Sequence, residues 1–257
     1  MSEATDDVRQ PELLSDAAMR SLAPAASCAY FLDVDGTLLD IKPHPDDVIA
    51  DPELCKLLVA LRDKAGGALA LVSGRTLSDI DRIFSPFIFP AAGTHGATIR
   101  FEDGSLLNTS GDALRTASRV LEAFVAQHSG LLFEDKGPAL TVHFRQNPEL
   151  RMEVLALLAE CAAGKDLVVL EGKMVAELKL TQFNKGTAVQ AFMAQPQFKG
   201  RRPVFIGDDV TDEYGFDAVN RLKGFAIRVD RIGSMTKAAY RLMSPSDVRA
   251  QLGSLLG

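Results

Sequence analysis

Cysteine is scarce in this chain of 257 residues: three, Cys28, Cys55 and Cys161, stand far apart. They match neither a metal-binding spacing nor a disulfide framework, so they read as buried thiols in a reducing compartment. Histidine is sparse too, four residues with no cluster, which argues against a histidine-built zinc site. Positive charge is not in excess. The net charge is −6, so no basic surface for nucleic acid is expected. No apolar run is long enough to span a bilayer. The first residues, Met-Ser-Glu-Ala-Thr-Asp-Asp, lack the basic-then-apolar pattern of a secretion signal. A soluble, cytoplasmic protein without nucleic-acid or membrane partners is expected. There is also no internal repeat, no low-complexity tract and no linker rich in Pro, Gly or Ser, so any second domain must be entered through short crossings.

What the chain does have is apolar residues, 47% of the total, enough for one large or two modest domains. The most informative stretch is Phe31-Leu32-Asp33-Val34-Asp35-Gly36-Thr37. The apolar run Ala29 to Leu32 reads as a short buried strand. It stops in two aspartates one residue apart, and Gly36 then permits a sharp turn. Carboxylates this close repel, and a cation or a shared proton is needed to keep them together. Oxygen-only ligands with room for water suit Mg²⁺.

The pattern around it repeats. Leu54, Leu57, Leu58 and Leu61 recur at helical spacing. Ala68 to Val72 is a second buried run, ending in Ser73-Gly74-Arg75, with a helix to follow from about Leu77 to Phe84. Phe87 to Ala92 is a third, closed by Gly93-Thr94-His95-Gly96. Strands and helices alternating at this spacing predict parallel βαβ units, with active residues at the carboxyl ends of the strands.

Between about 108 and 180 the character changes to hairpins and helices. Glu102-Asp103-Gly104 signals a hairpin within Thr98 to Leu107. A helix follows with Leu114, Val120, Leu121, Phe124 and Val125 inward. Leu140, Val142 and Phe144 alternate with Thr141, His143 and Arg145, as in a half-buried strand. A helix over about 148–163 and a hairpin about Glu171-Gly172-Lys173 complete the stretch. It reads as a separate α+β domain inserted between parallel units. The α/β pattern then resumes with a helix opened by Asn184-Lys185-Gly186. The strand Pro203 to Ile206 runs into Gly207-Asp208-Asp209-Val210-Thr211-Asp212-Glu213. A helix carrying Phe216, Val219 and Leu222, a strand over 225–229 and a final helix end the chain. Residues 1–24 read as a weakly ordered lead-in with a short helix around Leu13 to Leu22.

Asp33 with Asp35, Ser73, Lys185 and the Asp208/Asp209/Asp212 group thus fall in order at strand ends and helix starts. In that order the sequence resembles the haloacid dehalogenase superfamily of phosphotransferases. Thr94-His95-Gly96-Ala97, Glu134-Asp135-Lys136-Gly137, His143-Phe144-Arg145, Gly172-Lys173-Met174-Val175-Ala176-Glu177 and the 207–213 motif narrow the resemblance to the trehalose-6-phosphate phosphatases, over about Tyr30 to Asp230.

The resemblance implies an α/β fold. Its core, 1–107 with 181–257, would be Rossmann-like, and 108–180 would be an inserted cap that closes over the site. It implies Mg²⁺-dependent hydrolysis of trehalose 6-phosphate, the last step of trehalose biosynthesis, through an aspartyl-phosphate. Asp33 would be the nucleophile and Asp35 the acid and base. Asp33, Asp208 and the Asp35 carbonyl would hold the metal. Ser73 and Lys185 would hold the phosphate oxygens, and Gly74 and Arg75 would also bind substrate. Asp209 and Asp212 would orient Lys185 or metal-bound water. Glu134, Lys136 and Glu177 would bind sugar hydroxyls, with His143 and Arg145 as further candidates, and His95 would pack the loop beside the site. A trehalose-6-phosphate synthase partner would be a separate protein. Two other readings stand beside this one. The chain could be a related sugar-phosphate phosphatase. It could instead be an inactive sugar-phosphate sensor, which should have lost Asp33, Asp35 or Lys185; all three are present.

Overall fold

The structure, a computed structural model, describes residues 8–42, 44–108, 112–137 and 139–257. The chain forms two compact units, Met1–Leu106 with Asn184–Gly257, and Leu107–Phe183. In chain order the elements are β1 (Glu12–Leu13), α1 (Asp16–Leu22), β2 (Cys28–Leu32), α2 (Pro52–Lys64), β3 (Leu69–Val72), α3 (Leu77–Ile83), β4 (Ala91–Gly93), β5 (Thr98–Arg100) and β6 (Leu106–Asn108). Next come α4 (Asp112–Val125), β7 (Leu132–Asp135), β8 (Ala139–His143), α5 (Arg151–Ala162), β9 (Leu167–Gly172) and β10 (Val175–Leu180). The last are α6 (Lys185–Met193), β11 (Arg202–Gly207), α7 (Glu213–Arg221), β12 (Phe225–Val229), β13 (Tyr240–Leu242) and α8 (Pro245–Ser254).

A nine-stranded sheet runs in the order β1-β13-β12-β11-β2-β3-β4-β5-β6. From β1 to β4 every neighbouring pair is parallel, and β5 joins β4 antiparallel. β2 and β3 are buried along their whole length, as interior strands of a parallel sheet covered on both faces must be. The register sets the working edge. Phe31 lies opposite Phe205 and Leu32 opposite both Ile206 and Leu71, so Asp33, Ser73 and Gly207-Asp208 leave three adjacent strands side by side. Helix starts are built in the sequence. Asp51 caps α2 with Pro52 in its first turn, and Asn184 and Thr187 form a reciprocal capping box on α6.

The smaller unit is an antiparallel sheet in the order β7-β8-β10-β9. Leu140, Val142, Ala176 and Leu178 of its strands share one apolar cluster with Leu114, Ala117 and Leu121 of α4 and Leu158 of α5.

The lead-in differs from expectation. Residues 1–7 lie outside the described residues, but from Arg9 onward the chain is pinned. The Arg9 N–H donates to Thr236 O at 2.8 Å, β1 adds in parallel to β13, and Met19 is buried. Strands of two and three residues carry no periodic signal, so neither β1 nor β13 was legible. Val120 and Leu222, expected inward, are exposed. Ala117 fills the inward place on α4, and α7 ends at Arg221, before Leu222. Thr141 lies on the polar face of β8 but is buried there, hydrogen-bonded to Glu177 Oε2 at 3.3 Å. The hairpin of 98–107 extends the large sheet through β5 and β6.

Candidate active site

Asp33 takes its place because its backbone N–H continues the β2–β11 ladder, donating to Ile206 O at 3.0 Å. Its carboxylate is almost wholly buried. Oδ1 accepts a hydrogen bond from Lys185 Nζ at 2.8 Å, and Oδ2 accepts from Thr37 Oγ1 at 3.3 Å. Thr37 is itself buried and also reaches Asp208 Oδ1 at 3.3 Å, so one hydroxyl ties both carboxylates together.

Lys185 is the first residue of α6 and is buried. Its ammonium also donates to Asp212 Oδ1 at 2.6 Å. Asp212 is completely buried, and its second oxygen accepts the backbone N–H groups of Asp208 at 3.0 Å and Asp209 at 2.9 Å. Two glycines make room for this crowding. A Cβ on Gly207 would strike the Asp212 side chain. Gly36 has φ +78°, and a Cβ there would strike the Asp208 carboxylate.

Asp33, Asp208 and Asp212 present carboxylate oxygens within 4.8 Å of one another. Three carboxylates against one ammonium leave the cluster short of positive charge. Burial, reinforced by Asp212 and Asp208, pushes the Asp33 carboxyl well above its ordinary range, against the pull of Lys185. Burial and Asp212 push Asp208 up to about 6. Burial works against the Lys185 charge, but Asp33 and Asp212 outweigh it and hold its proton more tightly than usual. A donor set of oxygens alone, with charge to be balanced, fits a hard divalent cation. Asp212 holds Lys185 with one oxygen and two backbone N–H groups with the other, whereas Asp33 Oδ2 and Asp208 Oδ1 meet the Thr37 hydroxyl at 3.3 Å and could turn to a cation.

Asp35 points elsewhere. Its carboxylate accepts a two-pronged bond from Arg75, Nε to Oδ2 at 2.6 Å and Nη2 to Oδ1 at 2.7 Å. Ser73 is buried at the end of β3. Its N–H donates to Ala92 O, and its hydroxyl accepts the Arg75 N–H at 3.2 Å. The ring of His95 lies where a Gly74 side chain would stand, and the His95 N–H donates to Ser73 O at 2.9 Å. Asp209 is exposed and forms a capping box with Asp212 on the 210–212 turn.

The sequence reading thus named every carboxylate of the cluster, but it missed Thr37 and the pairing of Arg75 with Asp35. A hydroxyl four residues after Asp33, in the same turn, was the available signal for Thr37. For Arg75 there was none, since its partner lies 40 residues away.

In the smaller unit Glu134, Thr141 and Glu177 stand opposite one another on three neighbouring strands, so their side chains share one face. Lys136 Nζ lies 3.5 Å from Glu177 Oε2 and 4.0 Å from Glu134 Oε2, and His143 Nε2 lies 3.2 Å from Glu134 Oε2. Glu134, Lys136 and Glu177 are therefore brought together, with His143 beside them.

The family model described as trehalose-phosphatase matches residues 31–246. A probable trehalose-phosphate phosphatase of Sinorhizobium fredii (strain NBRC 101917 / NGR234) is 44% identical over 230 residues, 88% of this chain and 87% of the relative. The trehalose-6-phosphate phosphatase of Escherichia coli (strain K12) is 38% identical over 227 residues, 87% of this chain and 85% of the relative. Among solved structures, the C-terminal domain of Candida albicans trehalose-6-phosphate phosphatase superposes with a TM-score of 0.79 at 20% identity, over 98% of this chain and 99% of that one. With a family match that runs from β2 into α8, and relatives this similar over most of their length, the chain belongs to the trehalose-phosphatase family.

Proposed function

We propose that the protein is an Mg²⁺-dependent phosphatase that hydrolyses trehalose 6-phosphate to trehalose and phosphate. The observation that carries this reading is the buried Asp33 carboxylate, 2.8 Å from the Lys185 ammonium and within 4.8 Å of the oxygens of Asp208 and Asp212. Such a group is fixed in one orientation, shielded from bulk water and short of positive charge.

In this reading Asp33 attacks phosphorus and forms an aspartyl-phosphate, which splits one difficult displacement into two easier ones. Phosphoryl transfer asks chiefly for in-line positioning and for stabilisation of charge. Lys185 supplies part of that charge at the nucleophile, and Ser73 donates to a phosphate oxygen. Asp33, Asp208 and the Asp35 carbonyl would hold Mg²⁺, which when bound would screen the carboxylates from the phosphate and act as a Lewis acid. Thr37 keeps Asp33 and Asp208 aligned, and Asp212 keeps Lys185 in place. Asp35 protonates the leaving sugar oxygen and then takes a proton from water. Glu134, Lys136 and Glu177 bind glucose hydroxyls, since a carboxylate accepts two hydrogen bonds from a diol. The unit Leu107–Phe183 serves as the cap expected over 108–180.

The test is phosphate release from trehalose 6-phosphate, glucose 6-phosphate, sucrose 6-phosphate and p-nitrophenyl phosphate, each with Mg²⁺ and with EDTA. Mg²⁺-dependent preference for trehalose 6-phosphate is the expected result. Equal activity on all four would defeat the sugar assignment, and no activity on any would defeat the catalytic one.

A further inference from the structure

We propose that Arg75 is a positioning residue, which holds Asp35 at its working angle and acts through that carboxylate. The proposal rests on the phosphatase reading for what Asp35 does. The resemblance implies that Arg75 binds substrate; in the structure its Nε and Nη2 are both given to Asp35, at 2.6 and 2.7 Å. This is the fork-to-fork geometry in which a guanidinium fixes a carboxylate in plane as well as in place.

The grip is itself anchored. The Arg75 backbone N–H is bound to Ser73 Oγ at 3.2 Å, and its carbonyl accepts the Thr94 N–H at 2.8 Å. A Cβ on Gly93 would strike that same carbonyl, so Gly93 lets the strand end close over it. The side chain of Arg75 is only 13% exposed and that of Asp35 31%, so the pair is largely removed from the water that would compete for it. Hydrogen bonding to Asp35 also raises the Arg75 proton affinity above its ordinary value. The turn that presents Ser73 therefore presents the arginine that aims Asp35.

The chemistry says when this matters most. In the first half-reaction an Asp33 oxygen bonds to phosphorus, the bond from phosphorus to the leaving oxygen breaks, and the Asp35 proton passes to that oxygen. In the second, a water oxygen bonds to phosphorus, the water proton passes to Asp35, and the Asp33–phosphorus bond breaks. Asp35 ends protonated as it began, and ester plus water has become alcohol plus phosphate. Only the carboxylate accepts two parallel bonds from a guanidinium while keeping no proton of its own. That is the state of Asp35 between the two halves, when it must take a proton from water. Loss of Arg75 should therefore slow breakdown of the aspartyl-phosphate more than its formation.

The experiment compares the full-length wild type with Arg75→Met and Arg75→Lys in Mg²⁺. First-turnover release is followed with p-nitrophenyl phosphate and, by rapid quench, with trehalose 6-phosphate. The steady-state rate of Arg75→Met should fall by about 10² to 10³, the span of a mispositioned general base. The first turnover should slow much less, so that a burst of about one product per active site appears. Inhibition by inorganic phosphate should be unchanged within about twofold, and Arg75→Lys should recover little, since an ammonium cannot make two parallel bonds. The proposal is overturned if no burst appears while phosphate inhibition weakens by about tenfold or more and lysine restores it, because the guanidinium then serves the phosphate. It is also overturned if Arg75→Met turns over like the wild type. Should Arg75→Met fail to fold by circular dichroism, Arg75→Lys decides. A slowed steady state with unchanged phosphate inhibition supports the proposal, and wild-type turnover overturns it. A wild type that hydrolyses neither ester would instead remove the phosphatase reading and this proposal with it.

Discussion

Chelating Mg²⁺ should destabilise the protein above pH about 6 and matter much less below it, because Asp208 is pushed up to about 6 from 3.8. A carboxyl whose proton affinity is raised by folding favours the folded state while it is protonated. That contribution is lost as the pH rises through the folded value. Between pH 3.8 and about 6 the metal-free fold should lose about 3 kcal/mol on this account, at roughly 1.4 kcal/mol for each tenfold in proton affinity. A cation bound to ionised Asp33 and Asp208 offsets that loss; below pH about 6 it must first displace a proton, and its apparent affinity falls about tenfold per pH unit. For a chain of this size about 3 kcal/mol corresponds to roughly 6–12 °C in Tm. The chain has no tryptophan, so calorimetry or circular dichroism is the suitable probe. The Tm gap between millimolar MgCl₂ and EDTA should be about 6 °C or more near pH 8 and should shrink to about 2 °C near pH 5. Taking a difference at each pH cancels the carboxylates that do not meet the cation. A gap that stayed constant with pH would refute the placement of the cation on Asp208, as would a gap of wild-type size in Asp208→Asn.

Three further outcomes are expected. Glu177→Ala should lower kcat/KM for trehalose 6-phosphate by about tenfold to a hundredfold, a loss of 1.4–3 kcal/mol in binding. It should spare p-nitrophenyl phosphate, and equal loss on both would sink the sugar-binding role. Gly36→Ala forces a side chain into φ +78° and against the Asp208 carboxylate, so the Mg²⁺ concentration for half-maximal activity should rise at least about tenfold; wild-type Mg²⁺ dependence would contradict the close approach. Asp51→Ala should cost about 1 kcal/mol, since Asp51 accepts the Leu54 N–H at 2.8 Å as the cap of α2. Its carboxyl is held below 3.8, first by that hydrogen bond and then by Arg249. Its contribution is therefore present above 3.8 and lost as the pH falls through the lower folded value. The gap in urea midpoint between wild type and variant should therefore close in acid.

How much of this was legible in the sequence follows from the distance over which each feature is specified. Asp33, Ser73 and Asp208 were found because a buried apolar run that stops in polar residues is a local pattern, and parallel topology brings such stops to one edge. The register that sets Leu32 opposite Ile206 only realised what the three runs already implied. Glu134 and Glu177 were assigned through the resemblance and not from their residue types, and the burial of Thr141 between them was not legible, because it depends on neighbours across two strands. Val120 shows the limit of periodicity. It sits at helical spacing from its neighbours, but Ala117 already covers that face. The pairings that organise the site are beyond local pattern altogether. Lys185 meets Asp33 across 152 residues and Arg75 meets Asp35 across 40. A sequence offers a charge in each case without saying which opposite charge it will find. The choice is made by burial, since at the strand ends an ion left without a partner costs more than any local preference is worth. For Lys185 the fold answers with Asp33 and Asp212, since the cluster leaves a buried ammonium few other places to go. For Arg75 it answers with Asp35, a choice no local pattern makes, because a phosphate and a carboxylate make the same demand on a guanidinium and only the fold says which carboxylate lies within reach.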